Sequence, residues 1–334
     1  MSFELAVPGV AWIVRARRPW PAVFLLLVAV LAAARVIAQS QPSEPPPLRD
    51  NRLFRSGIEV TSITATVTDR DGHPLPNLQR DDFEVYEDGL RQTVTQFTHE
   101  RVPIGLGVLL DISDSMFGKR IQDARAAVDR FLFGLLDPAD EFFLLAFNHR
   151  PRVLTGWTRE QKDVQRVLDG LRPSGGTAIY DAIVEALPVL ERRSRERAAL
   201  LVISDGADTA SSASSREVRG ALLRSDAFVY AIAIDSPERQ AINTGVNVQA
   251  LREITAESGG RTEVVHTSAD LDEATARIAD ELNSQYVLGY TSPRGADGQF
   301  HSIRVRIAGT DDRVRARRGY VATPLSGRKS WLGS

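Results

Sequence analysis

Five residues in three separate segments have the types and spacing to bind a divalent metal ion. The run Asp111-Ile112-Ser113-Asp114-Ser115 supplies a carboxylate and two hydroxyls, Thr177 adds a third hydroxyl, and Asp205 adds a second carboxylate. These are hard oxygen ligands of the kind that Mg²⁺ or Mn²⁺ prefers, whereas zinc and copper prefer nitrogen or sulfur. If the neutral hydroxyls bind directly, the ion stays electron-poor and an incoming carboxylate can complete its octahedral shell. The residue types therefore predict a Mg²⁺ site, which Mn²⁺ could also occupy, that accepts an acidic side chain.

Each segment lies where a predicted strand ends or a predicted helix begins. The Asp111 run ends the first strand, Gly175-Gly176-Thr177 opens a helix, and Ser204-Asp205-Gly206 follows another strand. Ligands of open α/β sheets bind at the loops outside the carboxyl ends of the strands. A single Ser, Thr or Asp at such a place often only caps a helix, and Thr177 is a natural N-cap residue. The occurrence of all five in this order favours the metal site over capping.

The elements that must position these residues begin at residue 104, where near-continuous apolar runs alternate with amphipathic stretches. This pattern is typical of parallel strands covered by helices on both faces. The predicted strands are Ile104–Ile112, Glu141–Phe147, Arg152–Trp157, Ala198–Ile203, Ala227–Ile234 and Thr262–Val265. The predicted helices are Ile121–Leu136, Lys162–Leu171, Ala178–Leu190, Ser215–Leu223, Val248–Glu257 and Leu271–Leu282. The sequence therefore predicts an α/β domain with a six-stranded sheet.

The segment before this domain has the pattern of a small antiparallel β unit. Ile63, Ala65 and Val67 alternate with threonines in a half-buried strand over 60–68, and further short strands are expected around 83–85 and 94–97. Asp69 and Asp71 could suggest a calcium loop, but the other acidic ligands of that motif are missing and a plain turn is favoured.

The segment after the domain again has the residue pattern of β-strands. Strands are predicted at Gln285–Tyr290, His301–Ile307 and Val314–Ala316, the last two as a hairpin with one arginine-rich face. That face is interpreted either as a solvated surface or as a patch for an anionic partner. We expect the hairpin to pack on the N-terminal β unit, because neither piece alone buries enough apolar area for its own core.

The N-terminal sequence pattern predicts that the protein is exported. Arg15, Arg17 and Arg18 precede an apolar run over 21–34, which is shorter than the about 20 residues of a spanning helix and fits a signal peptide cleaved after Ala38. The alternative is an uncleaved anchor. The proline-rich residues 39–57 read as an extended linker. A periplasmic or secreted protein is expected, unless the N-terminal segment holds it at the membrane.

Composition excludes several classes of function. The chain has 41 basic and 43 acidic residues, no cysteine and five histidines. The absence of cysteine rules out disulfides, thiolate zinc sites, iron–sulfur clusters and a cysteine nucleophile. The absence of a basic field argues against nucleic acid as a partner.

The order D-x-S-x-S, then a threonine in a second loop, then an aspartate in a third resembles the metal-ion-dependent adhesion site of the von Willebrand factor A domain. The matching residues are Asp111, Ser113, Ser115, Thr177 and Asp205. The resemblance covers residues 102–283 and implies a doubly wound, Rossmann-like, mostly parallel sheet. It also implies that the top face of the sheet holds Mg²⁺ and binds a partner protein, often through an acidic side chain of that partner.

The flanking segments resemble a bacterial subfamily, the von Willebrand factor A-related acidobacterial domain. The similar stretches are 67–69, 82–89, 284–290 and 317–320. The resemblance implies an exported bacterial protein. The expected division is 1–38 signal peptide or anchor, 39–57 linker, 58–101 β unit, 102–283 von Willebrand factor A domain, 284–322 C-terminal hairpin and 323–334 flexible tail.

The favoured hypothesis is an extracytoplasmic, metal-dependent protein-binding module for adhesion or envelope assembly. One alternative is a structural scaffold of an envelope complex that does not depend on the metal, and another is a Mg²⁺-dependent hydrolase. Against the hydrolase, Ser113 stands where a phosphatase usually has a second acid, and the common nucleotide-binding, serine-hydrolase and metalloprotease motifs are missing. We therefore expect no enzymatic activity. The partner and the oligomeric state stay open.

Overall fold

The computed structural model describes residues 60–235, 247–295, 297–310 and 312–322. The predicted signal peptide, linker and C-terminal tail lie outside these ranges. The strands, in chain order, are β1 (Val60–Thr68), β2 (Phe83–Glu87), β3 (Leu90–Gln92), β4 (Gln96–Thr98), β5 (Ile104–Asp111), β6 (Glu141–Phe147), β7 (Arg152–Thr158), β8 (Arg197–Ser204), β9 (Phe228–Ile234), β10 (Thr262–Val265), β11 (Tyr286–Thr291), β12 (Phe300–Ile307), β13 (Arg313–Ala316) and β14 (Gly319–Val321). The α-helices are α1 (Lys119–Arg130), α2 (Gln161–Gly170), α3 (Ile179–Leu190), α4 (Ser215–Arg224), α5 (Val248–Ser258) and α6 (Ser268–Asn283). None of these helices is both long and apolar enough to cross a membrane.

The central sheet has the strand order β10-β9-β8-β5-β6-β7, in which only the edge strand β7 is antiparallel to its neighbour. Helices cover both faces, since one buried cluster joins the sheet to α1, α2 and α6 and a second joins it to α3, α4 and α5. Because both faces of the sheet are buried, the sequences of its strands are continuous apolar runs. The predicted α/β fold with a six-stranded, mostly parallel sheet is confirmed.

Close packing within the sheet accounts for a glycine inside the most central strand. A Cβ atom on Gly107 of β5 would lie 2.5 Å from Cζ of Phe143 and 2.6 Å from Cδ2 of Leu200. The two neighbouring side chains occupy the space over Gly107, so any larger residue there would push them apart.

The first predicted helix, Ile121–Leu136, differs from the observed one in its last turn. The α-helical bonding of α1 ends at Arg130, and Phe131–Leu135 forms a π-helical turn in which the amide of Leu136 donates to the carbonyl of Phe131 at 3.1 Å. Phe131 and Leu132 are buried in this turn. The wider turn lets both side chains reach the core from consecutive positions.

The remaining strands form two four-stranded antiparallel sheets, β13-β1-β11-β4 and β14-β12-β2-β3, which share one apolar core. The core residues are Ile63, Ala65, Val67, Phe83, Val85, Tyr286, Leu288, Tyr290, Ile303, Val305 and Ile307. Each sheet of this β-sandwich thus combines N-terminal and C-terminal strands. The expectation that the two pieces pack together is correct in this respect.

The predicted hairpin between His301–Ile307 and Val314–Ala316 is wrong. Strand β12 pairs with β2 and β14, whereas β13 pairs with β1 in the other sheet. The chain between them crosses from one sheet to the other and turns at Gly309, whose φ is +72°. Alternation of apolar residues reports which face of a strand is buried, but not which strand lies beside it.

The arginines expected on one face of that hairpin lie in two different environments. Arg304 and Arg306 lie on the exposed side of β12, whereas Arg315 forms an ion pair with the buried Glu281 of α6. Arg318 lies 3.6 Å from Glu257 of α5, and Arg317 donates to the carbonyl of Leu223. The arginines from Arg315 onward therefore join the sandwich to the helices of the α/β domain.

The outer face of β1 is exposed at Ser62 and half-buried at Thr64 but buried at Thr66 and Thr68, so only the first part of the strand is half-buried as expected. The side-chain amide of Gln285, just after α6, donates to the hydroxyl of Thr66 at 3.3 Å and to that of Tyr230 in β9 at 2.9 Å. Thr66 and Thr68 are shielded because this face of the sandwich meets the α/β domain.

The α/β domain is an insertion into the sandwich. The chain leaves the sandwich after β4 and returns to it at β11, and these two strands pair with each other through Gln96 opposite Gly289 and Thr98 opposite Val287. The chain therefore enters and leaves the α/β domain at adjacent positions.

Candidate metal-binding site

The candidate site lies at the carboxyl edge of the central sheet, beside β5. The chain runs from β5 to β6 on one side, and β8 lies on the other, so the direction of strand addition reverses here. Loops that leave parallel strands at such a point diverge and open a crevice between them. The loops after β5 and β8 meet there, joined by the loop before α3.

Asp111, the last residue of β5, is fully buried. Among the described residues its hydrogen-bond donors are neutral: the amide of Ser113 donates to Oδ1 at 2.8 Å, and the hydroxyl of Ser204 donates to Oδ2 at 2.6 Å. The pKa of Asp111 is raised to about 7, mainly by burial and in part by the nearby negative charge of Asp205, while the hydrogen bonds from Ser204 and Ser113 oppose the rise. A carboxylate in such surroundings lacks the charge compensation that buried ions require.

The two serines of the run lie side by side. Their hydroxyl oxygens are 2.9 Å apart, with Ser113 buried and Ser115 half-buried. Ser113 precedes a short 3₁₀ turn over Asp114–Met116, but its side chain makes no capping hydrogen bond there. Met116 is fully buried and fastens this turn to the core. The turn therefore presents both hydroxyls without using Ser113 as a cap.

Asp205, one residue after β8, is the second fully buried carboxylate. The guanidinium Nη1 of Arg120, in the first turn of α1, lies 3.3 Å from its Oδ2 and 3.1 Å from the carbonyl oxygen of Ser115. Gly206 follows with φ +81°, and its amide donates to the hydroxyl of Ser204 at 3.0 Å. A Cβ atom at Gly206 would lie 2.7 Å from the carbonyl oxygen of Asn247, so this close turn requires glycine.

Thr177 lies in the loop between these two segments. Its carbonyl accepts from the amide of Thr209 at 2.8 Å, and on the other side the amide of Asp114 donates to the carbonyl of Gly175 at 2.9 Å. Backbone hydrogen bonds thus connect all three loops. Hydrogen bonds join Asp111 to Ser113 and Ser113 to Ser115, Arg120 links Ser115 to Asp205, and Thr177 lies in the loop bonded to both segments.

The capping role considered for Thr177 is filled by another residue. The amide of Ile179, the first residue of α3, donates to Oδ1 of Asp208 at 2.8 Å. The N-cap position itself is Ala178, and no side chain at that position caps the helix. Asp208 comes from the loop after β8, so it also anchors that loop to α3.

Three residues of the site were not among the predicted ligands: Ser204, Arg120 and Asp208. Ser204 is the last residue of β8 and Asp208 lies in the loop after it, so the polar residues on either side of Asp205 were the signal that could have indicated them. Arg120 carries no such signal, because it is one of many arginines in the sequence and only the fold brings it to Asp205.

The rim of the site is partly apolar. Phe117 directly follows the serine-containing turn, and 70% of its surface is exposed, whereas its neighbour Met116 is in the core. His149 is exposed and lies over the Thr177 loop, since a Cβ atom at Gly175 would be 2.6 Å from its Nδ1. A partner bound at this edge would meet an aromatic ring beside the buried carboxylates.

The donor set fits a hard divalent cation. It comprises two buried carboxylates and three hydroxyls, and one guanidinium offsets only part of the negative charge. Mg²⁺ and Mn²⁺ prefer such oxygen ligands, with part of the shell left to water.

A second cluster of potential ligands, Asp69, Asp71 and His73, lies on an exposed turn after β1. Oδ1 of Asp69 accepts from the amides of Asp71 and His73, each at 2.9 Å. The hydrogen bond from the amide of His73 is the main cause of the lowered pKa of Asp69. The carboxylate stabilises its own turn, as favoured from the sequence.

Comparison with known proteins agrees with this architecture. Residues 106–207, which include most of β5, all of β8 and all five predicted ligands, match the von Willebrand factor type A domain. The chain is 21% identical over 238 residues to inter-alpha-trypsin inhibitor heavy chain H4 of Homo sapiens, a match that covers 64% of this chain and 25% of the human protein. The chain thus spans about a quarter of the length of this relative.

Two solved structures are similar to parts of this chain at low identity. A von Willebrand factor type A protein from Catenulispora acidiphila superposes with a TM-score of 0.48 and 12% identity, covering 79% of this chain and 73% of that one. The conserved hypothetical protein BatB from Bacteroides thetaiotaomicron gives a TM-score of 0.45 and 19% identity, covering 53% and 98%. From the match over residues 106–207 and the six-stranded sheet that contains them, the inserted α/β domain of this chain is a von Willebrand factor type A domain.

Proposed function

We propose that the protein is an extracytoplasmic, metal-dependent protein-binding module that acts in adhesion or envelope assembly. Von Willebrand factor type A domains typically mediate protein–protein interaction or adhesion and are generally non-enzymatic. In this proposal Asp111, Ser113, Ser115, Thr177 and Asp205 hold Mg²⁺, and an acidic side chain of the partner completes its shell. The extracytoplasmic location is proposed from the sequence pattern of residues 1–38.

The observation that carries the proposal is the pairing of two fully buried carboxylates at the reversal point of the sheet. Asp111 is held only by neutral donors among the described residues, and beside it the hydroxyls of Ser113 and Ser115 lie 2.9 Å apart. Keeping two such carboxylates together away from water is unfavourable when only the single guanidinium of Arg120 offsets their charge.

When bound, the ion would supply a Lewis-acidic position for an oxygen ligand of the partner. The residues of this chain position the ligands of that ion. Ser204 fixes one oxygen of Asp111, Asp208 ties the loop after β8 to α3, and Gly206 allows the close turn that follows Asp205. A carboxylate arriving at this edge would also meet the exposed ring of Phe117.

The test is calorimetric titration of Mg²⁺ and Mn²⁺ into the full chain and into Asp111→Asn and Asp205→Asn variants. Both substitutions keep the size of the side chain and remove its charge. We expect saturable binding by the unmodified chain and at least about a tenfold loss of affinity in each variant, since one charge–ligand interaction is worth more than about 1.4 kcal/mol.

Asp114→Asn is the matched control, because Asp114 is an exposed acid in the same loop. It should bind the ion as the unmodified chain does. Unchanged affinity in both Asp111→Asn and Asp205→Asn would refute the site, and an equal loss in Asp114→Asn would show non-specific charge attraction instead. Acetate titrated into the protein with Mg²⁺ and with chelator then tests the carboxylate: binding in both solutions would argue against the metal.

A further inference from the structure

The guanidinium of Arg120 occupies an unusual place, directly on one of the two site carboxylates. Its Nη1 lies 3.3 Å from Oδ2 of Asp205 and 3.1 Å from the carbonyl oxygen of Ser115. The Arg120 side chain is 10% exposed and that of Asp205 is 1% exposed. Solvent therefore screens this pair little, and the interaction is stronger than that of a surface ion pair.

The guanidinium and the proposed ion share the same ligand. Oδ2 of Asp205 accepts from Arg120, and Asp205 is also one of the two carboxylates that would neutralise Mg²⁺. Two positive charges that draw on one carboxylate weaken each other's binding. A second nearby cation, Lys119, contributes less, because its ammonium lies 2.6 Å and 2.8 Å from the two oxygens of Asp123.

We propose that Arg120 is an internal cation of the site, which weakens the binding of the bare metal ion and strengthens the attachment of a partner carboxylate to the ion. This inference rests on the metal site proposed above. With Arg120, the two carboxylates and the guanidinium sum to one negative charge, so a bound divalent ion leaves one positive charge. An acidic side chain then neutralises the site. Without Arg120, the ion alone neutralises the carboxylates, and an added carboxylate introduces an unbalanced negative charge.

The same arrangement specifies the chemistry of the partner. A neutral oxygen ligand, such as an amide or a hydroxyl, would leave the excess positive charge buried at the edge of the sheet. Only an anion removes it. Arg120 therefore selects for an aspartate or glutamate side chain over neutral ligands, in addition to lowering the affinity for the ion before the partner arrives.

The test compares the full chain with Arg120→Gln and Arg120→Lys. Glutamine removes the charge but keeps a donor for the carbonyl of Ser115, whereas lysine keeps the charge. Calorimetry measures Mg²⁺ alone, and then acetate and acetamide with Mg²⁺ at saturation. We expect Arg120→Gln to bind Mg²⁺ about tenfold more tightly and acetate about tenfold more weakly, while Arg120→Lys stays within about threefold of the unmodified chain. Acetamide should not distinguish the three proteins.

Each outcome decides between the two proposals. If the unmodified chain binds Mg²⁺ and Arg120→Gln binds it equally or more weakly, Arg120 is not a competing cation, and the metal site stands without this inference. If neither the unmodified chain nor Arg120→Gln binds Mg²⁺ or Mn²⁺, the metal site itself is refuted and the inference with it. Binding by Arg120→Gln alone would support the inference.

Destabilisation of Arg120→Gln would not end the test, because its stabilisation by Mg²⁺ can still be measured. Removal of the guanidinium leaves the charge of Asp205 buried, and Mg²⁺ should compensate it. Circular dichroism during thermal unfolding should then show a larger stabilisation by Mg²⁺ in Arg120→Gln than in the unmodified chain. An equal or smaller stabilisation would overturn the proposal.

Discussion

His301 is a buried histidine held between two carboxylates of the sandwich. Its side chain is 5% exposed, with Nδ1 lying 2.8 Å from Oδ2 of Asp88 and Nε2 lying 3.0 Å from Oδ1 of Asp297. The hydrogen bond to Asp88 is the main cause of its raised pKa, and Asp297 adds to the effect. The charged imidazole is therefore favoured in the folded protein.

This predicts that stability falls as the pH rises. A group whose pKa is raised on folding stabilises the protein fully below its unfolded pKa of about 6.5 and loses this contribution above its folded pKa. We expect the free energy of unfolding, measured with urea in chelator, to be about 1 kcal/mol larger at pH 5.5 than at pH 8.5 from this group alone.

The matched variant is His301→Gln. The raised pKa of Asp111 acts in the same direction, but it is present in both proteins, so the difference between them isolates the histidine. The lowered pKa values of Asp88 and Asp297 act below this pH range. An identical pH dependence in both proteins would show that folding does not raise the pKa of His301.

At the residue scale, the sequence revealed the oxygen-bearing residues because their spacing and positions after strands are regular. Asp111, Ser113 and Ser115 lie in one run, and the structure places Asp205 beside them. The position of Arg120 could not be predicted, since its contact with Asp205 joins residues 85 positions apart and depends on how α1 packs over the sheet.

At the scale of the elements, the contact of Gly107 with Phe143 and Leu200 leads to a prediction for β5. Gly107→Ala places a methyl group where Cζ of Phe143 now lies 2.5 Å away, so the strand or the ring must move. We expect a loss of about 1–3 kcal/mol in the free energy of unfolding by urea, as for other overpacked cores.

Gly134→Ala is the control for this prediction. A Cβ atom at Gly134 meets no atom within 4 Å, and its φ lies outside the positive range. The substitution should leave stability unchanged or raise it slightly. Equal effects of the two substitutions would mean that β5 and β6 are less tightly packed than described.

Element types were predictable where burial has a clear period, and pairing was not. The six central strands and six helices follow from apolar runs and amphipathic stretches, with bounds shifted by a few residues. Strand β14 over Gly319–Val321 was missed, because three residues give too short a pattern. The place of β12 depends on its register with β2, for example Val305 opposite Val85, which no local pattern contains.

At the scale of the whole molecule, the ion pairs between sandwich and α/β domain should contribute to stability. Glu281 is buried at this junction and binds Arg315 of β13 and Arg261, whose Nη1 lies 2.7 Å from Oε1. Arg315→Ala removes one partner of a buried carboxylate. We expect a loss of about 2–4 kcal/mol in the free energy of unfolding by urea, with Arg261 limiting the effect.

Arg313→Ala, two positions earlier on the same strand, is the control, since Arg313 is exposed. It should change stability by less than about 0.5 kcal/mol. A similar small effect of Arg315→Ala would show that the junction depends on packing and not on this ion pair. Two separate unfolding transitions in Arg315→Ala would show that the sandwich and the domain have become uncoupled.

The insertion of the α/β domain between two paired strands also has a mechanical consequence. Both ends of the described chain, Val60 and Ala322, belong to the sandwich, while β4 and β11 lead into and out of the domain side by side. Tension applied between these ends is therefore carried first by the interstrand hydrogen bonds of the sandwich. The domain that contains the proposed metal ligands stays unloaded until β11 or β4 is pulled out of its sheet. A partner that pulls on the site, by contrast, loads both connecting segments in parallel, so each bears only part of the force.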